Sequence, residues 1–321
     1  MAEQSSQRDH AKARGSYVRY HKGTAEARKL LFGQKTREAM FELKQMTPID
    51  ARPHVAGETE LESLAKRGFC LTKFKSSVSE RLDSVENMPQ YQEDPANPVP
   101  ESSTSKTIRE TYFDEVCERI KLITGAKYVF FLSHVTRKGS TDTTGNRYLT
   151  TYATFAHTDY SESILPKKEY FLVKRGVPVS EIDNLEIALY NSWQPFNNAV
   201  EQNPLAVLDY RTLAANDLED VITAKLDYPV TYSKKTNQLE SPEITLLSGK
   251  HSDQHDWMYF PLMKPDELLL FAQMDPRAAY AKRCFHTSFY DSSSVAPARP
   301  KPRMSLEGRF VCAYERPSSK I

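Results

Sequence analysis

Two imidazoles and one carboxylate carry the chemistry open to this chain. His157, Thr158 and Asp159 form a His-x-Asp stretch, and His286 follows far downstream. Three such ligands can occupy one face of an octahedral Fe(II) and leave the opposite face for oxygen and an oxo-acid cosubstrate. Shortly after the distal histidine comes Arg303-Met304-Ser305. A guanidinium with a hydroxyl beside it can grip the far carboxylate of that cosubstrate in a forked pair. Arg309 is the substitute if the register is different. His-x-Asp alone is common by chance. Its order with a late histidine and an Arg-x-Ser is the more specific signal.

Each group also has a plainer role open to it. A solitary histidine is usually a surface group or a hydrogen-bonded core residue, and the chain has eight. His10 and His21 lie in or near a polar N-terminal tail. His251 and His255 are spaced to share a metal only on a helix, whereas Ser248-Gly249 and the polar residues nearby read as a loop. His255, two before Trp257, can still face a pocket as a polar substrate contact. Arg303 and Arg309 can be exposed salt-bridge partners. Trp193, Trp257 and Tyr259 suit a core, and they also suit the wall of a small-molecule pocket. The same triad can hold Zn(II) and activate water for hydrolysis, although zinc sites usually lack an Arg-x-Ser grip. A jelly-roll binding protein without turnover is a third reading, and the intact triad argues against it.

These residues need a scaffold that gathers them. In a strand, residues i and i+2 share a face, with Cα atoms about 6.5–7 Å apart. His157 and Asp159 can therefore lean towards one ion from one strand end. His286, between Phe285 and Phe289, suits a ligand rising from a barrel wall. After Gly125, short runs rich in Val, Ile, Phe, Tyr and Thr recur: 128–135, 147–155, 185–196, 243–247, 257–260, 268–273 and 309–314. This pattern predicts a mainly β protein with peripheral helices, a distorted jelly roll. A helical excursion is expected over 216–226. Upstream, 15–21 reads as a strand and 24–43 as a helix with Thr24 at its N-cap. Residues 88–107 hold four prolines and read as a loop that can lie over a site. Residues 107–124 have helical periodicity through Ile108, Tyr112, Val116, Ile120 and Ile123, and Gly125 ends the helix. The expected organisation is a polar tail over 1–14 and one domain over 15–321, its N-terminal part helical.

Composition narrows the class. The chain has 321 residues, 39% of them apolar, enough for a large core. Its net charge of +1 gives no case for a nucleic-acid partner. The longest apolar runs, 128–132 and 268–272, are too short for a bilayer, and the N-terminus lacks the apolar centre of a secretory signal. Cys70, Cys117, Cys284 and Cys312 lack CxxC spacing, which disfavours a disulfide framework or a thiolate zinc site. Neither a glycine-rich phosphate loop nor a GxSxG elbow is present. The expected partner is a small molecule in the cytosol, without nucleic acid or membrane, and a homodimer is compatible with all of this.

The order of motifs resembles the AsaB/CmcJ-like hydroxylase/desaturase family. The resemblance is carried by DAR at 50–52, ESLAKRGF at 62–69, TGA at 124–126, FLSHVTR at 131–137 and AHTDYS at 156–161. It continues through NSWQP at 191–195, PLAVLD at 204–209, HDWMYF at 255–260, DE at 266–267, HTSF at 286–289 and RMSLEGR at 303–309. The match covers about 50–314. It implies a double-stranded β-helix oxygenase using Fe(II), 2-oxoglutarate and O2, of a kind frequent in fungal secondary metabolism. By the resemblance, His157, Asp159 and His286 become iron ligands, and Arg303 with Ser305 the cosubstrate grip. Asn191 and Trp193 match a family Asn-x-Trp-Arg-Pro stretch, but Gln194 stands where Arg is usual. His134, Arg137, Asn191, Trp193, His255, Trp257 and Tyr259 are the candidate pocket walls. A basic pair at 134 and 137 suits a substrate carboxylate, as in an amino-acid-derived acid.

Overall fold

The computed structural model describes residues 16–22, 41–85, 102–138, 152–225, 231–233, 238–240, 243–291, 295, 297 and 299–316. The expected tail over 1–14 lies outside them, as do 24–40 of the expected N-terminal helix and 88–101 of the proline-rich loop.

The central strands are buried on both faces, since β-rich runs such as 268–273 and 309–314 are covered on either side. In chain order the strands are β1 (Ser16–His21), β2 (Phe41–Met46), β3 (Ile49–Asp50), β4 (Phe69–Lys73), β5 (Tyr128–Lys138) and β6 (His157–Thr158). Then come β7 (Leu185–Pro195), β8 (Leu205–Leu208), β9 (Ile222–Lys225), β10 (Thr231–Ser233) and β11 (Gln238–Glu240). The last are β12 (Glu243–Leu246), β13 (Trp257–Tyr259), β14 (Glu267–Met274), β15 (His286–Ser288) and β16 (Met304–Glu315). Two sheets face each other. One runs β3-β13-β8-β15-β6-β12-β9 and the other β4-β14-β7-β16-β5. Crossovers between sequence-distant strands give the expected double-stranded β-helix. Between the sheets lies a core that includes Phe69, Trp193, Leu205, Val207, Met258 and Phe271.

Both outer faces are covered. A long helix, Ser103–Thr124, lies on the five-stranded sheet and buries Ile108, Tyr112, Phe113, Val116 and Ile120 against Leu306, Phe310 and Cys312. Those helix positions recur at three- and four-residue spacing and so share one face. Ser102 caps the helix by accepting a hydrogen bond from the Ser105 amide at 3.1 Å, and Gly125 ends it at φ +68°. The hairpin of β1 and β2 covers the other sheet, where Val18 and Tyr20 pack with Trp257, Tyr259, Phe285 and Phe289. A short helix, Glu60–Arg67, begins at a Thr59/Glu62 capping box, a readable signal (Thr-x-x-Glu) that hydrophobic periodicity alone passes over.

Several expected elements differ. Residues 41–43 belong to β2, because their side chains alternate across the hairpin and do not follow a helical stripe. The helix expected from Thr107 starts a turn earlier, at Ser103. Residues 216–220 are turns and 222–225 form β9, where pairing with β12 overrides local helical preference. Of the strand expected over 147–155, residues 152–155 hold only an isolated bridge from Phe155 to Arg19, and 147–151 lie outside the described residues. The run expected from Arg309 begins at Met304, which carries Ser305 into the strand.

Candidate metal centre

Strand pairing brings the triad together. His157 opens β6 and His286 opens β15, and the two residues are direct antiparallel partners. Their rings lie 4.2 Å apart between centroids. Asp159 follows β6 by one residue, and its amide donates to Gln273 Oε1 at 2.7 Å. His157 Nε2 is 3.6 Å from Asp159 Oδ1. One ligand atom from each of His157, Asp159 and His286 lies within 4.8 Å of the others, and all three residues are buried. No other such cluster of His, Cys, Asp or Glu occurs among the described residues.

The surroundings set the protonation needed for a cation. His157 Nδ1 is 2.9 Å from the Phe155 carbonyl and donates to it, which leaves Nε2 as the ring nitrogen turned towards Asp159 and available to a cation. Burial pushes His286 down to about 3, and the neighbouring His157 adds to the effect. It is therefore neutral and able to ligate. Burial raises the Asp159 carboxyl, but the Arg309 guanidinium, His157 and His286 together outweigh it and hold the group well below the usual carboxylate range. The set is two imidazole nitrogens and one ionised oxygen, a donor combination suited to Fe(II). Cis ligands at about 2.1 Å from one ion stand about 3 Å apart, so small inward rotations would complete the contact.

The β16 face beside the triad is strongly charged. Along β16, Ser305, Glu307 and Arg309 alternate with Leu306 and Gly308, as a strand requires, and Arg303 immediately precedes the strand. Leu306, Phe310 and Cys312 go under the long helix. Arg303, Glu307 and Arg309 line a cavity with His157, Asp159, His286, Arg137, Trp193 and others. Arg303 is 2% exposed, with its Cζ 3.9 Å from the Tyr152 ring centroid and 5.5 Å from that of Trp193. Its Nη1 donates to the Asn203 carbonyl and, at 3.1 Å, to Ser288 Oγ. Arg303 Nε and Ser305 Oγ have no hydrogen-bond partner among the described residues. A buried guanidinium with an unsatisfied Nε fits a carboxylate guest, whereas Ser305, two residues on, is not among the residues that line the cavity.

Arg309 is differently placed. Its Nε donates to Asp159 Oδ2 at 2.9 Å and its Nη2 to Glu307 Oε1 at 2.9 Å. Asn191 Nδ2 donates to the same Asp159 oxygen at 2.6 Å. On β7, Trp193 lines the cavity and stands opposite Glu307 in register, while Asn191, opposite Arg309, is not among the lining residues and is held by Asp159 and Glu307.

The other candidates lie elsewhere. His134 is on the opposite face of β5 from Arg137, 5.3 Å from the Phe113 ring under the long helix, so it does not line the cavity. The pair at 134 and 137 is thus split by strand alternation. His255, Trp257 and Tyr259 are on the outer side of the seven-stranded sheet. Trp257 Nε1 donates to Tyr20 Oη at 2.6 Å, His255 Nε2 lies 2.9 Å from Asp217 Oδ2, and Tyr259 meets Phe289 edge-on. His251 shares Asp217 at 2.8 Å. Gln194 also points away from the cavity: it accepts from Tyr112 Oη at 2.7 Å and donates to the Phe74 and Pro265 carbonyls. Replacement of the family's usual Arg there leaves the triad untouched. Glu307 and Ser288 escaped the sequence reading. Their signal was the two-residue spacing, Glu307 between Ser305 and Arg309, and Ser288 after His286.

A family profile described as "Oxidoreductase/YMDC permease-like domain" matches residues 18–313, nearly the whole chain. The chain belongs to this oxidoreductase family. Relatives with curated names agree with the hydroxylase/desaturase resemblance. A hydroxylase/desaturase from Hormonema carpetanum is 25% identical over 220 residues, covering 65% of this chain and 72% of that protein. A hydroxylase/desaturase from Cercospora beticola is 27% identical over 269 residues, covering 79% and 72%. An Fe(II)/2-oxoglutarate-dependent dioxygenase from Aspergillus novofumigatus is 25% identical over 200 residues, covering 62% and 65%. The solved structure of an iron and alpha-ketoglutarate-dependent endoperoxidase shares the fold at TM-score 0.67 and 20% identity, covering 95% of this chain and all of that one. Despite the word permease in the family description, no helix among the described residues is long and apolar enough to cross a membrane.

Proposed function

We propose that this chain is an Fe(II)- and 2-oxoglutarate-dependent oxygenase that oxidises an unactivated C–H bond of a small molecule in secondary metabolism. The outcome class is hydroxylation, desaturation or oxidative ring closure. The observation that carries the reading is the pairing of a buried His157–Asp159–His286 cluster with a buried, carboxylate-free Arg303 in the same cavity. A hydrolytic zinc site has no use for the second feature.

In this reading His157, Asp159 and His286 hold the iron, and Arg303 holds the C5 carboxylate of 2-oxoglutarate. When bound, iron and 2-oxoglutarate supply the electrons that reduce dioxygen and the oxidising power that breaks the substrate C–H bond, with release of succinate and CO2. The chain's own residues bind, orient and keep dry. The Phe155 carbonyl fixes the His157 tautomer. Phe271 packs edge-on to His286 at 4.9 Å between centroids and steadies that ring. Trp193 and Leu205 exclude water from the cavity floor. Arg137, at the cavity wall, meets a carboxylate-bearing substrate.

Anaerobic addition of Fe(II) and 2-oxoglutarate to the purified chain should raise a weak visible charge-transfer band. Succinate release should then depend on both iron and oxygen, and a screen of amino acids, cyclic dipeptides and aromatic polyketides should show which substrate accelerates it. Folded protein that gives neither the band nor iron-dependent succinate would remove the reading.

A further inference from the structure

We infer that Arg309, Asn191 and Glu307 form a clamp that holds Asp159 as a one-oxygen ligand. Arg309 is thereby a positioning residue for the metal and not an anchor for the cosubstrate. The inference rests on the metal-centre reading above.

The two oxygens of Asp159 have separate surroundings. Oδ1 faces His157 Nε2 at 3.6 Å. Oδ2 receives two hydrogen bonds, from Asn191 Nδ2 at 2.6 Å and Arg309 Nε at 2.9 Å. Both donors are tied to a second carboxylate. Glu307 Oε1 accepts from Arg309 Nη2 at 2.9 Å and from Asn191 Nδ2 at 3.3 Å. The four side chains close a ring, and each is less than one-tenth exposed. The ring is built on registered strands, since Asn191 on β7 is the direct partner of Arg309 on β16. Asp159 itself is fixed through its backbone by Gln273.

A carboxylate free to turn can chelate a cation through both oxygens and so take an extra coordination position. Here a cationic donor and an amide both hold Oδ2, and charge-assisted hydrogen bonds in a buried site resist that turn. The remaining positions stay open for a chelating oxo-acid and dioxygen. Glu307 has a matching purpose. It orients Arg309 so that Nε, and not the forked Nη pair, addresses Asp159.

The test uses the full chain, stripped of metal and titrated anaerobically with Co(II). Calorimetry reads the affinity, and the visible d–d absorption reads coordination number. Wild type should bind one Co(II). Arg309→Ala should weaken Co(II) binding about 10- to 100-fold, the usual effect of losing an outer-shell partner of a ligand, and Arg309→Lys should recover part of it. The d–d band of the alanine variant should weaken as Asp159 turns to bind through both oxygens. At saturating Co(II), 2-oxoglutarate affinity should stay within about twofold of wild type, since the C5 grip on Arg303 is intact. If Arg309→Ala keeps wild-type Co(II) affinity and spectrum, the clamp is refuted; if it loses 2-oxoglutarate affinity as well, Arg309 is the anchor. Should that variant not fold, Asn191→Leu carries the test. It keeps the side-chain volume but removes a direct donor to Asp159 Oδ2, and an unchanged Co(II) affinity and spectrum there would equally overturn the clamp. Wild-type protein that binds no Co(II) would instead strike at the metal-centre reading itself.

Discussion

His157 and His286 stand opposite each other in neighbouring antiparallel strands, with ring centroids 4.2 Å apart. Neither strand is longer than three residues. Such short elements persist because neighbours hold them: β8 and β12 flank the pair, and the core between the sheets backs it. The metal site is therefore a property of the sheet and not of either segment.

Removal of one imidazole should break the site while sparing the sheet. His157→Ala is expected to abolish the visible band formed anaerobically with Fe(II) and 2-oxoglutarate, with far-ultraviolet circular dichroism unchanged. A surviving band and surviving turnover would show that His157 is not a ligand.

Arg303→Ala should raise the 2-oxoglutarate requirement by about 10- to 100-fold, in line with the ~1.5–3 kcal/mol carried by hydrogen bonds to charged groups. The requirement for the oxidised substrate should change far less. Because Arg303 is buried and burial presses its pKa down, an anion that joins it should also stabilise the fold. Metal-loaded wild type should melt at a higher temperature with 2-oxoglutarate than without, and the alanine variant should lose that increment. Equal increments in both proteins would move the grip elsewhere.

Gln194 offers a contrast. Its amide satisfies Tyr112, Phe74 and Pro265 beneath the long helix. Gln194→Ala should cost about 1–3 kcal/mol of stability by leaving buried partners unpaired, as measured by urea unfolding. Its 2-oxoglutarate requirement should match wild type. An altered requirement at full stability would put position 194 in the cavity.

Acid should loosen the β1–β2 hairpin cover. Burial pushes His21 down to about 4. Burial also lowers His255, partly offset by Asp217. In the bonded network, Trp257 donates to Tyr20, whose hydroxyl donates to His255 Nδ1, which leaves Nε2–H to donate to Asp217. Both rings are thus neutral in the fold, whereas in the unfolded chain they take protons as pH falls through about 6.5. The unfolded state binds more protons below that value, so stability falls with pH, by up to ~1.4 kcal/mol per pH unit for each proton taken up. Melting temperature of metal-free protein should decline from pH 6.5 towards 4, and less steeply in His21→Phe. A flat profile across that window would contradict the assignment.

Residue order alone made the chemistry legible. The types His, Asp and His and the Arg-x-Ser spacing survive any folding detail, because metal preference and carboxylate recognition belong to functional groups. The β-rich character was equally legible, since alternation and β-branched runs report a pleated, half-buried surface. The Tyr128, Leu185, Leu268 and Trp257 runs all became strands within a few residues of expectation. What remained hidden was which face each strand turned inward. His134 and Arg137 look like one basic pair along the chain, yet odd spacing sends them to opposite sides of β5. His255, Trp257 and Tyr259 look like pocket walls, yet their sheet turns them outward to Tyr20, Asp217 and Phe289. Arg303 and Arg309 share type and face. Only the packed structure sets Arg309 on Asp159 and leaves Arg303 without a carboxylate. Side-chain identity determines what each group can do, whereas strand register and burial decide which partners come within a few ångströms.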